Sequence, residues 1–417
     1  MSILNHIEKN NSSIFENFNN FAEYFFKLKK EENRLEFEKL VQSKINDIEK
    51  GVKGCVKIVS RSYYTMFGKI NLKMRCYRIE GKFRYLADEK LKLPKDKWLS
   101  KPKELLCTFG ITSEFSNANK IFEEITGIKI SDRCFANKVE ETGKKMYKEF
   151  DSKEFTEINL TDSILTSEVR RSRVKPRYYL EVDGTMLALK KGIYKEAKVG
   201  VIFSESEHFS LSEKRNYIRE KEYVATMNSR KKFSDLMYLS YCQKVGNLEH
   251  ELVILGDGAK WIWSMSDYLY PNAIQILDFY HVSEYVWKVS REAFPDNQKS
   301  QKEWVDIQLE HLKNSESEKI DLDKFNINTD ELKKSIKNLK TYLKNNKNRI
   351  DYKSYIEKGL MIGSGVIESS NKKVVGQRLK QSGMFWSKEG ANSVMTLRAC
   401  FLSSSKNWKN FWKQYVA

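Results

Sequence analysis

No two cysteines in this chain are spaced as a Cys-x-x-Cys pair. The six that occur (Cys55, Cys76, Cys107, Cys134, Cys242 and Cys400) are scattered through 417 residues. That spacing excludes a zinc knuckle and fits free thiols in a reducing compartment. Histidine is scarce too, five in all with no His-Glu-x-x-His, so a His-rich metal site is not expected. No run approaches the ~18 apolar residues of a membrane span. The opening MSILNHIEKNNSSIF has no basic stretch leading into an apolar one, so neither a membrane partner nor secretion is expected, and the expected location is the cytoplasm. Polarity does not prevent folding: 40% hydrophobic and 12% aromatic residues exclude a disordered or low-complexity chain. At ~100–200 residues per domain, the length predicts roughly two to four domains.

What is abundant is positive charge. Lys and Arg number 74 against 56 Asp and Glu, a surplus of 18. Such a surplus favours a polyanionic partner, although a Lys-rich proteome produces the same number. Its distribution is informative. Residues 371–417 carry nine Lys or Arg and one acid, Glu389, with Phe385, Trp386, Trp408, Phe411, Trp412 and Tyr415 interleaved. Basic groups on phosphates with aromatic faces against bases suit nucleic acid; a basic-faced helix with its aromatics in the core reads the same way. Residues 331–358, with nine bases and three acids, form a second basic stretch.

Periodicity organises the chain. Residues 12–50 read as helix, with Ile14, Phe18, Phe21, Phe25 and Leu28 on one face, either core or an oligomer seam. Residues 56–86 read as strands with a hairpin at Phe67-Gly68-Lys69. Within 101–150, SNANKIFEEITG predicts a helix capped by Ser116 and closed by Gly127, and Ser131 or Asp132 starts a second. Helix, short turn and basic helix is the layout of a helix-turn-helix DNA reader, though also of any helical hairpin. Residues 151–177, ending in Arg170, Arg171, Arg173, Lys175 and Arg177, read as a linker. YYLEVDGTMLAL, AKVGVIFSE and KEYVATMNS are three β-rich runs, and ELVILGDG, WIWSMSDYLY and AIQILDFYH continue as strand, helix, strand, an α/β pattern. From 281 to 358 the reading is all helix, with Leu332, Ile336, Leu339 and Leu343 on one face. A last helix is expected from Val366 to about Gln381. The expected divisions are therefore 1–100, 101–177, 178–280, 281–358 and 359–417.

Three acids draw attention. Asp183 in LEVDGT and Asp257 in VILGDGA end apolar runs, and Glu368 follows the IGSG loop on a helix. Three such carboxylates can hold two Mg²⁺ ions, with Mn²⁺ as a substitute, because hard cations take oxygen ligands and keep several waters. Two ions serve phosphodiester chemistry by activating the attacking oxygen and stabilising the leaving one. Each acid also has a plainer reading: Asp-Gly after a strand is a common turn, and Glu368 with Lys372 is an i,i+4 pair.

The order of these acids, together with YLEVDGTM, AKVGVIFSE, LGDGAKWIW, ILDFYHVSEY and MIGSGVIESSNKKVVGQRLKQSGMFWS, resembles a DDE transposase of bacterial insertion sequences, of the Kra-type group with kinship to the Mutator-like branch. The resemblance runs from about residue 50 to the C-terminus. It implies an α/β RNase H-like core, its mixed sheet built from three antiparallel strands followed by parallel ones. A helical insertion would fill the 110 residues between Asp257 and Glu368, and a mainly helical N-terminal region would bind DNA. It also implies Asp183, Asp257 and Glu368 as metal ligands and catalytic residues. Asp278-Phe279-Tyr280-His281 matches a motif of related transposases. There His281 would donate a hydrogen bond to a scissile or leaving oxygen, or would brace the insertion. Asn371, Arg378 and Lys380, with Lys372 and Lys373 beside them, match DNA-facing positions, or form a solvated helix face. Relatives often carry a Cys-rich metal motif near the N-terminus; here CYRIEGKFRYLADEKLKL has only Cys76, so no zinc is expected.

The implied activity is cleavage at terminal inverted repeats followed by strand transfer of the freed 3′-hydroxyl. The implied setting is a homo-oligomeric complex on double-stranded transposon ends and target DNA, at the bacterial nucleoid. A structure-selective nuclease without strand transfer and a non-catalytic helix-turn-helix regulator are the alternatives.

Overall fold

A computed structural model describes residues 17–152, 175–212, 215–246, 248–323, 325 and 329–414. Ile14, Tyr415 and the arginines at 170, 171 and 173 lie outside these. The chain divides into two compact units, residues 1–139 with 408–417 and residues 140–407.

The first unit opens with helix α1 (Phe18–Glu49), then strands β1 (Cys55–Thr65), β2 (Gly68–Ile79) and β3 (Lys82–Arg84) in an antiparallel sheet of order β1-β2-β3. The expected hairpin is present, with Thr65 opposite Gly68. Side chains of α1 satisfy the free edge of β2. Glu38 accepts from the Asn71 amide (2.9 Å), Gln42 both accepts from and donates to Lys73 (2.8 Å each), and Glu49 accepts from the Arg75 amide (2.8 Å). A polar helix stripe therefore covers an edge that would otherwise invite another strand. The apolar side of this unit centres on Ile45, Tyr63, Ile70, Leu72 and Met74. The phenylalanine face expected at the start of α1 is not core: Phe18 is 80% and Phe25 40% exposed.

Next come α2 (Leu86–Leu91), α3 (Ser100–Thr112), α4 (Phe115–Thr126) and α5 (Asp132–Asp151). Gly127 closes α4 in the left-handed region (φ 70°) and Ser131 caps α5 through the Cys134 amide (3.2 Å), both as the sequence predicts. Ser116 does not cap α4, which begins one residue earlier behind Glu114. The boundary between the units falls within α5.

The second unit is a mixed α/β assembly. Its strands are β4 (Arg177–Ala188), β5 (Tyr194–Ser204), a side hairpin of β6 (His208–Ser212) and β7 (Arg215–Ile218), and β8 (Glu222–Thr226). After α6 (Arg230–Val245) come β9 (Glu251–Gly256), α7 (Lys260–Leu269) and β10 (Ile274–Leu277). The five-stranded sheet has the order β10-β9-β4-β5-β8. β4–β5 and β5–β8 are antiparallel, whereas β4–β9 and β9–β10 are parallel. The apolar runs of β4 and β9 are buried almost throughout because each lies between two neighbours and under helices. The β6–β7 hairpin was not apparent in the sequence.

The segment 281–358 is helical as expected. α8 (Phe279–Ala293), α9 (Gln298–Lys313), α10 (Asp330–Asn345) and α11 (Tyr352–Glu357) follow one another, and Leu332, Ile336, Leu339 and Leu343 are all buried along α10. The chain ends with α12 (Gly365–Asn371), a π-helical turn at Lys372–Gly376, α13 (Gln377–Leu379), α14 (Lys388–Leu402) and α15 (Asn407–Gln414). The aromatics of this basic region are mostly interior: Trp386, Trp408, Phe411 and Trp412 are each under 10% exposed, whereas Phe385 and Phe401 face solvent. A base-stacking role for the buried four does not fit that placement. Among the described residues no helix is long and apolar enough to cross a membrane, and none of the six cysteines is in a disulfide.

Candidate active site

The parallel pairing of β4 with β9 builds the site. The ladder runs from Arg177 opposite Glu251 to Val182 opposite Gly256, and Asp183 and Asp257 are the next residue on each strand. The sequence reading places Asp183 at a strand end, but β4 continues past it against β5 as far as Ala188. It sits where the partner strand β9 stops, which opens the sheet on that side. Asp257 leaves β9 into a turn that Gly258 permits at φ +84°. One Asp257 oxygen accepts from the Ala259 amide (2.9 Å), and its other oxygen has no hydrogen-bond partner among the described residues. The Asp257 carbonyl accepts from the Tyr342 hydroxyl (2.7 Å), which ties α10 to this turn.

Asp183 is half-buried. Its oxygens accept from the Gly184 amide (2.6 Å) and from the Asn371 side chain of α12 (2.5 Å). Burial and the neighbouring Asp257 charge raise its pKa, against the pull of the Gly184 amide, His281 and Asn371. The structure thus brings Asp183, Asp257 and Asn371 together. Glu368 lies one turn before Asn371, exposed, and forms no ion pair with Lys372. Among the described residues no three of His, Cys, Asp and Glu converge as a metal cluster. The two aspartates nonetheless fit a hard cation: they repel each other, and both the second Asp257 oxygen and Oδ1 of Asn371 are oxygens without a partner.

Beside the pair, Asp278 is fully buried. It caps α8 through the Tyr280 amide (3.0 Å) and accepts from the Ser364 amide (3.2 Å) and hydroxyl (2.6 Å). Burial pushes its pKa up, but these bonds and His281 outweigh burial and hold it below the ordinary value. Nδ1 of His281 lies 3.6 Å from Asp278. That contact, with the Asp257 charge behind it, raises the imidazole to about 9 despite burial, so the ring carries a proton at neutral pH.

A model of the family UPF0236, an uncharacterised protein family, matches residues 48–414. The chain belongs to UPF0236. No curated protein matches it.

The remaining residues of this UPF0236 site divide by burial. Lys380 is exposed and donates to Thr185 (2.5 Å), two residues beyond Asp183 on β4. Lys372 and Lys373 are exposed on the π-helical turn. Arg378 is fully buried with its guanidinium over the Trp386 ring (5.0 Å), so it does not face DNA as the sequence suggested. Three participants escaped the sequence reading. Glu181 lies two residues before Asp183, fully buried, with one oxygen on the Ile367 amide (2.7 Å) and the other without a partner; burial drives its pKa to about 8. Its only signal was an acid inside an apolar strand. Ser364 had none beyond its loop. Arg398, buried on α14, donates to the Val374 carbonyl (3.0 Å) and to the Lys373 carbonyl, and burial lowers its pKa to about 10. It holds the π-helical turn that follows Asn371, and such turns recur at functional sites. Arg398→Ala is expected to lower the unfolding free energy by about 2–4 kcal/mol by orphaning these interior carbonyls. Arg398→Lys should recover only part of that, since an ammonium lacks the planar fork. Urea midpoints of the two variants check both.

Proposed function

We propose that this UPF0236 chain is a DNA transposase of insertion-sequence type. It would cut the ends of its element and join the freed 3′-hydroxyl to target DNA. One observation carries the reading: Asp183 within β4 and Asp257 just after β9 stand next to each other on neighbouring parallel strands, in a mixed sheet that combines antiparallel β4–β5–β8 pairing with parallel β4–β9–β10 pairing. A helical insertion and a helix packed beside Asp183 follow in the expected sequence.

In this reading Asp183 and Asp257 hold Mg²⁺, with Mn²⁺ as a substitute and Glu368 joining when DNA is engaged. The cation would supply Lewis-acid activation of the attacking oxygen and charge neutralisation at phosphorus. The protein's own groups do the rest. Asn371 orients the Asp183 carboxylate. Asp278 fixes the His281 ring and its proton, and the imidazolium lies beside the aspartates, where it can donate to a phosphate or leaving oxygen. Tyr342 anchors the Asp257 turn to the insertion helix. Lys372, Lys373 and Lys380 are placed to meet the phosphate backbone, which makes affinity fall with salt. Synapsis of two ends calls for a homo-oligomer, acting on double-stranded DNA at the bacterial nucleoid.

The test uses the full chain and a plasmid carrying the DNA that flanks its gene. With Mg²⁺, strand breaks at the element ends and joined products are expected; with chelator, neither. Cleavage without joining would favour a nuclease, and binding without cleavage a regulator; either result would overturn the transposase reading.

A further inference from the structure

A cavity of about 970 Å³ is lined in part by the 359–366 segment. It is lined by β7, the start of α8, the end of α9 and the first turns of α12. None of the residues considered so far as catalytic forms its floor. Three features distinguish it from an ordinary surface dent.

The first is Lys221. It lines the cavity at 9% exposure, and among the described residues its ammonium has neither an ion pair nor a hydrogen-bond partner. Burial and the nearby Lys373 hold its pKa below the ordinary value, with Glu181 pulling the other way. An interior cation without a partner is costly, and it becomes favourable once an anion enters. Lys313, exposed, contributes a second positive charge at the same cavity.

The second is aromatic. Tyr280 and Tyr217 line the cavity with 61% and 42% of their surface open to solvent. The Tyr280 ring packs against Gly363, so closely that a Cβ there would collide with it. An exposed ring presents a face on which a base can stack. The third feature is position. Tyr280 and Ser369 line the cavity, and each is within two residues of a site residue, His281 and Asn371 respectively.

We propose that this cavity receives unpaired nucleotides of a DNA strand, with a phosphate on Lys221 and a base stacked on Tyr280. The inference rests on the transposase reading and deepens it: a strand end leaving the duplex at the aspartate pair would be held here rather than re-annealing. A duplex would not reach Lys221, which is nearly enclosed, whereas a single strand can thread to it.

The experiment uses the full chain in the presence of chelator, so that binding is read without cleavage. A fluorescent oligothymidylate and a duplex of the same length are titrated at several salt concentrations. Lys221→Met, close to isosteric and free of the interior charge, is expected to weaken binding of the single strand about tenfold. Its salt slope should drop by roughly 0.7, the loss of one phosphate contact. Tyr280→Ser should weaken it by roughly five- to a hundredfold, and Tyr280→Phe should retain it, since the ring and not the hydroxyl stacks. Duplex affinity should not change in any of the three. Tyr280 is exposed, so its variants report even if Lys221→Met perturbs folding. Wild-type affinity of the variants for the single strand, or equal losses for single strand and duplex, would overturn the proposal while leaving the transposase reading intact. A wild-type chain that binds neither DNA would overturn both.

Discussion

Asp257→Asn is expected to reduce strand cleavage by on the order of 10²–10³-fold without lowering the thermal unfolding midpoint. The two halves of that result come from the same geometry. The Asp257 oxygen that accepts from the Ala259 amide survives in asparagine as the amide oxygen. The other oxygen has no partner, so an NH₂ there breaks no bond. What is lost is the negative charge that helps to raise the pKa of Asp183. Removing the charge relieves its repulsion with Asp183 and gives up its attraction for the His281 imidazolium, two opposing changes that should leave stability about level. Asp183→Asn is the less clean variant, because both Asp183 oxygens are engaged, on Gly184 and Asn371, and one bond must go. A cleavage assay beside a thermal melt of Asp257→Asn reads both halves. Unchanged cleavage would remove the aspartate pair from the mechanism, and a lower midpoint would mark Asp257 as a structural turn residue.

The legible parts of this structure were those set by neighbours in sequence. The stripe Leu332, Ile336, Leu339 and Leu343 needs only helical periodicity, and it is buried. Gly127 and Ser131 end and begin helices by local hydrogen bonding. Asp183 and Asp257 stood out because each interrupts an apolar run. What escaped depends on which elements meet. Arg378 and Arg398 read as surface charges beside lysines, yet one lies over Trp386 and the other reaches the carbonyls of a π-helical turn from a different helix. Glu181 alternates with apolar residues as a solvent-facing position of an open sheet would, and only the covering by α12 makes it interior. The phenylalanines of α1 erred in the other direction: the periodicity was correct, but Phe18 and Phe25 have no cover within the described residues. The three acids read as a set in the sequence, yet among the described residues no three of them gather as a metal cluster; spacing along the chain carries no information about side-chain placement between distant segments.

Asp278→Ala should be the most destabilising single change near the site, costing about 3–5 kcal/mol, a large share of the stability of an ordinary domain. The carboxylate is wholly enclosed and joins two segments: the α8 start through Tyr280 and His281, and the Ser364 loop through two bonds. Truncation leaves the Ser364 donors unpaired in the interior and frees the loop that precedes Glu368 and Asn371. Asp278→Asn separates charge from shape. It keeps one acceptor oxygen and removes the main cause of the high His281 pKa, which should fall from about 9 toward the ordinary 6.5. The sign of the pH dependence follows. A histidine whose folded value exceeds its unfolded value stabilises the fold fully below about pH 6.5, and that contribution is lost as pH climbs through about 9. The wild type should therefore lose stability across that window, and Asp278→Asn should lose less of it from a lower starting point. A ¹³C-histidine NMR titration, with His281→Gln to assign the signal, reads the pKa directly, and urea midpoints at three pH values read the linkage. A His281 signal titrating near 6.5 in the wild type would show that the Asp278 contact does not hold the proton, and would take His281 out of the role of proton donor at neutral pH.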